Sequence, residues 1–79
     1  MNSITTYTVK QHIGKLIKQH RLEQKLTQQE LATLIGADRQ YIWNLENGRI
    51  NLSLNYLDKI ILKLKCTHND FFRPIINNK

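Results

Sequence analysis

Apolar residues recur at intervals of three and four positions in the first third of the chain, which is the spacing of one face of an α-helix. This segment runs to about Gln24, and lysines occupy its opposite side. Thr8 and Gln11 have the spacing of a capping box, so we expect the helix to begin directly after Thr8. Its predicted inward face consists of Val9, Ile13, Leu16, Ile17 and His20.

A second, shorter helix is predicted downstream of the first. Thr27 and Glu30 form another capping box, and the helix therefore opens at Gln28. It ends near Ile35, because the next residue is Gly36 and glycine readily takes the positive φ that terminates a helix.

A third helix is predicted from Arg39 to about Asn47, with Asp38 as its N-cap. Ile42 and Leu45 lie on its inward side, and Ala32 is small where the preceding helix must cross it closely. Two short helices joined by a turn, the second polar on its outer side, form the layout of a DNA-binding helix-turn-helix.

A fourth helix, capped by Ser53, and a last short turn of helix are predicted in the C-terminal part. We expect Pro74 to prevent a simple continuation of this last turn. The fourth helix has an apolar stripe, and the last turn carries two aromatic residues. These residues are Leu54, Leu57, Ile61 and Leu64 in the stripe, and Phe71 and Phe72 in the turn.

The whole pattern predicts an all-α fold, a compact bundle of about five short helices in a single domain. We expect residues 1–8 to form an N-terminal arm and residues 9–73 to form the domain. The helix-turn-helix motif would span residues 27–47, and residues 74–79 would form a C-terminal tail.

Charge points to a polyanionic partner. The 79 residues include 12 Lys and Arg against 6 Asp and Glu, giving a net charge of +6 and a pI near 9.8. Double-stranded DNA is the leading candidate, and a membrane surface is the rival. No stretch approaches about 18 uninterrupted apolar residues and no signal peptide is evident. We therefore expect a cytoplasmic, nucleoid-associated protein that does not engage a membrane.

The sequence offers no catalytic or metal-binding constellation. Cys66 and the three histidines have no recognisable zinc spacing, the acidic residues are scattered, and no glycine-rich phosphate loop is present. At this length a substrate-enclosing enzyme is not expected. We predict neither a cofactor nor a metal.

One side of the third helix carries residues suited to base contacts. At about 100° per residue, these residues lie opposite Ile42 and Leu45. Arginine can bind guanine in bidentate fashion, and glutamine or asparagine can bind adenine in the same way. The set, called here the recognition face, is Arg39, Gln40, Trp43, Asn44 and Asn47.

Trp43 is the unusual member of the recognition face. Its indole could lie against thymine methyl groups or deoxyribose in a DNA groove. It could equally cover Leu34 or a neighbouring loop, because the sequence does not set its rotamer. The two interpretations have equal weight.

Residues that flank the recognition face are candidates for phosphate contacts. Gln28 stands at the N-terminus of the second helix, where backbone N–H groups can also meet a phosphate oxygen. The other candidates come from the adjoining loops and from the tyrosine hydroxyl of the third helix. They are Lys25, Tyr41, Asn47, Arg49 and Asn51.

The C-terminal third has more apolar side chains than one inward stripe uses, which suggests an interface. A symmetric homodimer would set two recognition helices roughly 34 Å apart and would require an inverted-repeat site. The alternative is that Phe71 and Phe72 close the core of the monomer. The predicted interface residues are Ile60, Phe71, Phe72 and Ile75, with Leu62 and Ile76 as further apolar candidates.

From about Ile13 to Phe72 the chain resembles the phage-repressor-type helix-turn-helix family, often called the Xre family. Family members commonly carry Thr-Gln, Glu-Leu-Ala, Gly, Ile and Glu-Asn-Gly at set places in the motif. The resemblance implies a lambda-repressor-like DNA-binding domain. The matching residues here are Thr27-Gln28, Glu30-Leu31-Ala32, Gly36, Ile42 and Glu46-Asn47-Gly48.

The resemblance also implies roles for single residues. Arg21 and Glu46 match a partly buried ion pair of lambdoid repressors, and Gln28 matches a phosphate-contacting position. The positions that match base-contacting ones are Arg39, Gln40 and Asn44.

The run from Asp38 to Ile42 and the short chain are similar to restriction-modification controller proteins, which are small dimeric regulators. Trp43 departs from the small residue often found at its place, so no operator sequence is carried over. Antitoxins of toxin–antitoxin operons share the motif. We therefore expect a sequence-specific transcriptional regulator acting as a homodimer, with an antitoxin that binds a toxin protein and autoregulates its operon as the alternative.

Overall fold

Five α-helices follow one another along the chain in the computed structural model, which describes the backbone of residues 7–76 and the side chains of residues 7–73. No strand occurs within this described part, and the all-α expectation is confirmed. The helices are α1 (Val9–Glu23), α2 (Gln28–Ile35), α3 (Arg39–Glu46), α4 (Leu54–Lys63) and α5 (His68–Ile76).

The predicted N-caps are confirmed at each of the first four helices. Thr8 and Thr27 both form complete capping boxes, in which the threonine side chain accepts from the N3 amide and the N3 side chain accepts from the threonine amide. Asp38 and Ser53 each accept a hydrogen bond from the amide three residues further on. These caps satisfy N–H groups that a helix N-terminus leaves without a backbone partner.

Two lysines end helices in the left-handed conformation, which glycine usually supplies. Lys25 follows α1 with φ 61°, and Lys65 follows α4 with φ 59°. In both places the next residue's amide reaches back to a helix carbonyl, from Leu26 to Arg21 and from Cys66 to Ile61. Each lysine therefore occupies a strained position that closes its helix.

The core is a continuous cluster to which all five helices contribute. α1 packs against α3 and α5, while α2 packs against α3 and α4. Burial of these apolar side chains is the main stabilising contribution to the bundle. The buried members are Leu16, Ile17, Leu31, Ala32, Ile35, Ile42, Leu45, Leu57, Ile60, Ile61, Leu64 and Phe71.

Two residues predicted to face inward are exposed instead. Val9 is 77% exposed and Leu54 is 80% exposed. Each is the first residue of its helix, and side chains of a helix point toward its N-terminus, so both project past the end of the packed surface. The inward stripe of α4 instead includes Ile60, between Leu57 and Ile61.

The prediction that Pro74 stops the last helix is wrong. α5 continues through Pro74 to Ile76, so the helix extends into the segment expected to be a tail. A proline inside a helix removes one backbone hydrogen bond and does not by itself forbid the helical conformation. The expected arm up to residue 6, the end of the tail and the side chains of residues 74–79 lie outside the described residues.

Candidate nucleic-acid interface

The turn between α2 and α3 sets the crossing of these two helices. Gly36 has φ 75°, and a Cβ added there would meet no atom within 4 Å. The glycine is therefore required for its backbone conformation and not for space. Ala32 on α2 is fully buried.

A second glycine brings α1 against the C-terminal end of α3. A Cβ on Gly14 would lie 2.5 Å from the Leu45 carbonyl oxygen and 2.8 Å from that of Glu46. No side chain fits in this space unless the α3 backbone moves. The sequence prediction overlooked Gly14, although a glycine inside a strong helical pattern costs about 1 kcal/mol and commonly has a packing reason.

A buried ion pair fixes α3 to α1. Arg21 Nε donates to Glu46 Oε2 at 2.6 Å and Arg21 Nη2 donates to Glu46 Oε1 at 3.1 Å. The two side chains are 7% and 2% exposed. Arg21 Nη1 also donates to the Leu26 carbonyl oxygen at 2.8 Å, which ties the end of α1 to the same network.

Gln28 joins this network, which the sequence did not predict. Its Nε2 donates to Glu46 Oε1 at 3.1 Å, so α2 is attached to the ion pair as well. An amide nitrogen carries two hydrogens, and Gln28 therefore retains a donor beyond this bond. The ion pair holds the side chain at the start of α2, where a phosphate contact was expected.

The recognition face lies on the side of α3 that faces away from the core. Arg39, Gln40, Trp43 and Asn47 are exposed and Asn44 is half-buried. Ile42 and Leu45, on the opposite side, are buried. Since the capped turn, Gly14 and the ion pair all fix α3 from its inner side, the outward side chains project from a rigid support.

The Trp43 ring lies beside a loop residue that the sequence did not link to it. The guanidinium carbon of Arg49 lies over the indole, 5.3 Å from the ring centroid. Trp43 remains 41% exposed and lines a depression of about 340 Å³ together with Arg39 and Gln40. The indole thus contacts the neighbouring loop and still contributes to the outward surface.

Asn47 caps α3, which gives this predicted phosphate contact a structural role. Its side-chain Nδ2 donates to the Trp43 carbonyl oxygen at 2.8 Å. The Arg49 amide donates to the Asn44 carbonyl oxygen at 2.9 Å, so the loop after α3 folds back onto the helix end. These bonds satisfy carbonyl groups that the end of a helix leaves open.

Tyr41 and Asn51 line a second depression, of about 510 Å³, between α3 and the start of α4. The Tyr41 ring meets the Tyr56 ring edge to face, with centroids 6.0 Å apart. Burial raises the pKa of the Tyr41 phenol above its ordinary value, and Tyr56 raises it further, so the hydroxyl keeps its proton.

The structure contradicts two of the predicted dimer contacts. Ile60 and Phe71 are fully buried in the monomer core. Phe71 stacks on His20 with centroids 5.2 Å apart, and His20 Nε2 donates to the Phe71 carbonyl oxygen at 3.0 Å. Helical spacing alone could not show the burial of Phe71, because this depends on how α5 docks on α1. Ile60 lies three residues after the buried Leu57, so its inward position follows from helical spacing and was missed.

Other apolar side chains of α4 and α5 stay on the surface. Leu62 is 72% exposed and Phe72 is 40% exposed. Ile75 belongs to α5, but its side chain lies outside the described residues. Two exposed apolar side chains, Leu62 on α4 and Phe72 on α5, therefore remain on the helices that carry the predicted interface.

Within the described residues, no helix is long and apolar enough to span a membrane. In the same part of the chain, no group of three or more His, Cys, Asp and Glu side chains is placed to hold a metal ion.

Comparison with known families decides the classification of this architecture. Residues 17–71 match the family model described as "Helix-turn-helix". The chain belongs to the helix-turn-helix family. The predicted family is thereby confirmed, and Arg21, Gln28, the recognition face and Arg49 all lie inside the matched segment.

Several relatives share most of the length of this helix-turn-helix protein. Control protein C.MunI from a Mycoplasma species is 37% identical over 68 residues, covering 85% of this chain and 92% of that protein. An HTH-type transcriptional regulator from Methanothermobacter thermautotrophicus is 45% identical over 53 residues, covering 67% and 77%.

One solved structure resembles this protein in both fold and sequence. It is the restriction-modification controller protein C.Esp1396I, crystallised as a tetramer in complex with its natural 35 base-pair operator. It superposes with a TM-score of 0.73 at 33% sequence identity, covering 84% of this chain and 87% of that one. These relatives are regulators and control proteins, and none of the three is an enzyme.

Proposed function

We propose that this protein is a sequence-specific transcriptional regulator that binds an inverted-repeat operator as a homodimer, with α3 in the major groove. One observation carries the proposal. Hydrogen-bonding side chains occupy the outward side of a short helix whose inner side is fixed by Gly14 and by the Arg21–Glu46 ion pair. Such a helix has the dimensions and the chemistry to present side chains to base edges.

Base contacts are assigned to the outward side of α3. Arg39 and Gln40 occupy its first turn, the end that a recognition helix directs into the groove. Asn44 lies one turn further on and is half-buried, so its amide has less rotational freedom than the exposed pair. A well-made bidentate contact distinguishes the correct base by roughly 1–3 kcal/mol.

Phosphate contacts are assigned to the rim of this face. Gln28 stands at the start of α2 with its side chain held by Glu46, and Lys25 is exposed just before it. Arg49 and Asn51 are exposed in the segment after α3. The net charge of +6 favours the same partner, and each neutralised phosphate steepens the salt dependence of binding by about 0.9 in log–log slope.

Leu62 and Phe72 are the side chains we assign to the dimer contact, together with Ile75. Leu62 is exposed on α4 and Phe72 on α5, in place of the buried Ile60 and Phe71. The assembly of a related controller protein on its operator supports self-association.

We further propose that the protein is located in the cytoplasm and associated with the nucleoid, because a transcriptional regulator must reach the DNA that it binds.

Selection of bound duplexes from a random pool tests the DNA-binding proposal. We expect wild-type protein to enrich an inverted repeat. Arg39→Ala and Asn44→Ala should each relax the preference at defined bases, because each removes one direct contact. Lys18→Ala and Asn69→Ala are matched controls at exposed positions outside α3. Enrichment of no sequence, or unchanged preferences in both α3 variants, would contradict the proposal.

The dimer assignment is tested separately by mass measurement in solution at micromolar concentration. Leu62→Glu should give a monomer, because it places a charge in the apolar contact. Leu54→Glu is the matched control, since Leu54 is an equally exposed leucine at the start of the same helix. A wild-type mass that stays monomeric with and without DNA would overturn the assignment.

A further inference from the structure

Trp43 differs from the rest of the recognition face because it offers a large apolar surface. The indole has a single N–H donor and no acceptor, whereas its neighbours Arg39 and Gln40 offer several polar groups. The three side chains together line the depression of about 340 Å³ on the outer surface of α3. The depression therefore combines one apolar wall with polar groups that can reach base edges.

Arg49 holds this apolar wall in place. Its guanidinium lies over the indole, 5.3 Å from the ring centroid, and its amide is bonded to the Asn44 carbonyl oxygen at 2.9 Å. Asn47 donates to the backbone carbonyl oxygen of Trp43, which fixes the helix end and not the ring. The contact with the Arg49 guanidinium favours one position of the indole, which then loses less freedom when it meets a ligand.

The position of Trp43 on the helix decides which part of DNA it meets. At about 100° per residue, Trp43 lies about 40° around the helix axis from Arg39 and about 60° from Gln40. It therefore lies between two side chains suited to base edges and not at the rim, where backbone contacts are assigned. The apolar group that a base edge presents in the major groove is the 5-methyl group of a pyrimidine.

We propose that the depression lined by Arg39, Gln40 and Trp43 receives the 5-methyl group of a pyrimidine, and that Trp43 is a specificity-determining residue for it. The proposal rests on the proposed function, because it requires α3 to lie in the major groove. The methyl group belongs to thymine or to 5-methylcytosine. Burial of one methyl group corresponds to about a fourfold change in affinity, and in two half-sites to about fifteenfold.

The experiment starts from a duplex enriched by the wild-type protein and replaces thymines by deoxyuridine, one symmetric pair at a time. Deoxyuridine removes only the methyl group. We expect one pair to weaken wild-type binding by about fifteenfold and Trp43→Ala to bind both duplexes equally. Leu22→Ala, which trims an exposed leucine on α1, should keep the wild-type ratio.

A second arm replaces cytosines by 5-methylcytosine in the same duplex. A loss with deoxyuridine alone supports thymine as the source of the methyl group. A gain with 5-methylcytosine that disappears in Trp43→Ala supports the modified base. Either result supports the proposal.

Three results would overturn the inference. The first is a wild-type protein that is indifferent to both modifications. The second is a methyl effect that persists in Trp43→Ala, which would assign the methyl group to another residue. The third is a uniform loss in Trp43→Ala on every duplex, which would indicate a deoxyribose contact. If wild-type protein enriches no duplex, the proposed function itself fails and this inference fails with it.

Discussion

Removal of the Glu46 carboxylate should destabilise the protein severely. In Glu46→Ala the Arg21 guanidinium stays buried and loses its bonds of 2.6 Å and 3.1 Å, keeping the one of 2.8 Å to the Leu26 carbonyl. Gln28 loses its acceptor at the same time. Breaking a buried pair by removing one partner costs about 3–5 kcal/mol, because an uncompensated charge remains.

The free energy lost in Glu46→Ala is a large part of the total free energy of unfolding. Native domains are stable by only about 5–15 kcal/mol, and in a domain of this size each kcal/mol lowers Tm by about 4–8 °C. Thermal unfolding followed by circular dichroism at the helix band should therefore show a Tm at least about 12 °C lower, or no transition at all. A Tm within about 3 °C of the wild type would refute the reasoning.

Controls separate the ion pair from a general effect of mutation. Glu23→Ala removes a carboxylate that is 67% exposed, and its Tm should stay close to the wild type. The double variant Arg21→Met with Glu46→Met removes both charges and fills the same space. It should lie closer to the wild type than either single variant, because no charge is left unpaired.

Three further predictions concern positions outside the recognition face. Gly14→Ala should cost about 1–3 kcal/mol in urea denaturation, since its Cβ would collide with α3 carbonyl oxygens, and a stability equal to wild type would refute the tight crossing. Lys65→Gly should raise stability by about 0.5–1 kcal/mol by relieving its left-handed φ of 59°, whereas Lys59→Gly in the middle of α4 should lower it. Burial raises the pKa of the Cys66 thiol, and Asp70 and Glu23 add to the shift. At pH 8 a smaller fraction of Cys66 is therefore thiolate in the folded protein than in the unfolded protein. Iodoacetamide should therefore react more slowly with folded than with urea-unfolded protein, and equal rates would contradict the burial.

Local chemistry explains why the helices could be predicted from the sequence. The side chain of Thr8, Thr27, Asp38 or Ser53 bonds an amide only three residues away, so each helix start is decided within a few positions. Gly36 likewise ends α2 through its own φ. The outward set on α3 follows from helical periodicity once Ile42 and Leu45 are buried.

Features that depend on packing between distant segments were not predictable in this way. Phe71 enters the core because α5 docks on His20 of α1, and nothing near Phe71 in the sequence distinguishes it from exposed Phe72. The contact between Arg49 and Trp43 likewise depends on the path of the loop after α3.

The role of Gln28 was partly predictable. Its place at the start of α2 follows from the capping box at Thr27. Its bond to Glu46, by contrast, joins residues that are 18 positions apart and requires α2 and α3 to cross as they do. The family resemblance marked Gln28 as a phosphate-contacting position, but it did not indicate the hydrogen bond to Glu46.

Binding of Arg39→Lys to an enriched duplex is the most direct test that the outward side of α3 reads bases. Lysine keeps the charge and loses the planar bidentate contact. Fluorescence anisotropy should show affinity for the enriched duplex falling by roughly fivefold to a hundredfold for each half-site, with affinity for an unrelated duplex unchanged. Equal affinity of wild type and variant for the enriched duplex, or an equal loss on both duplexes, would contradict the account.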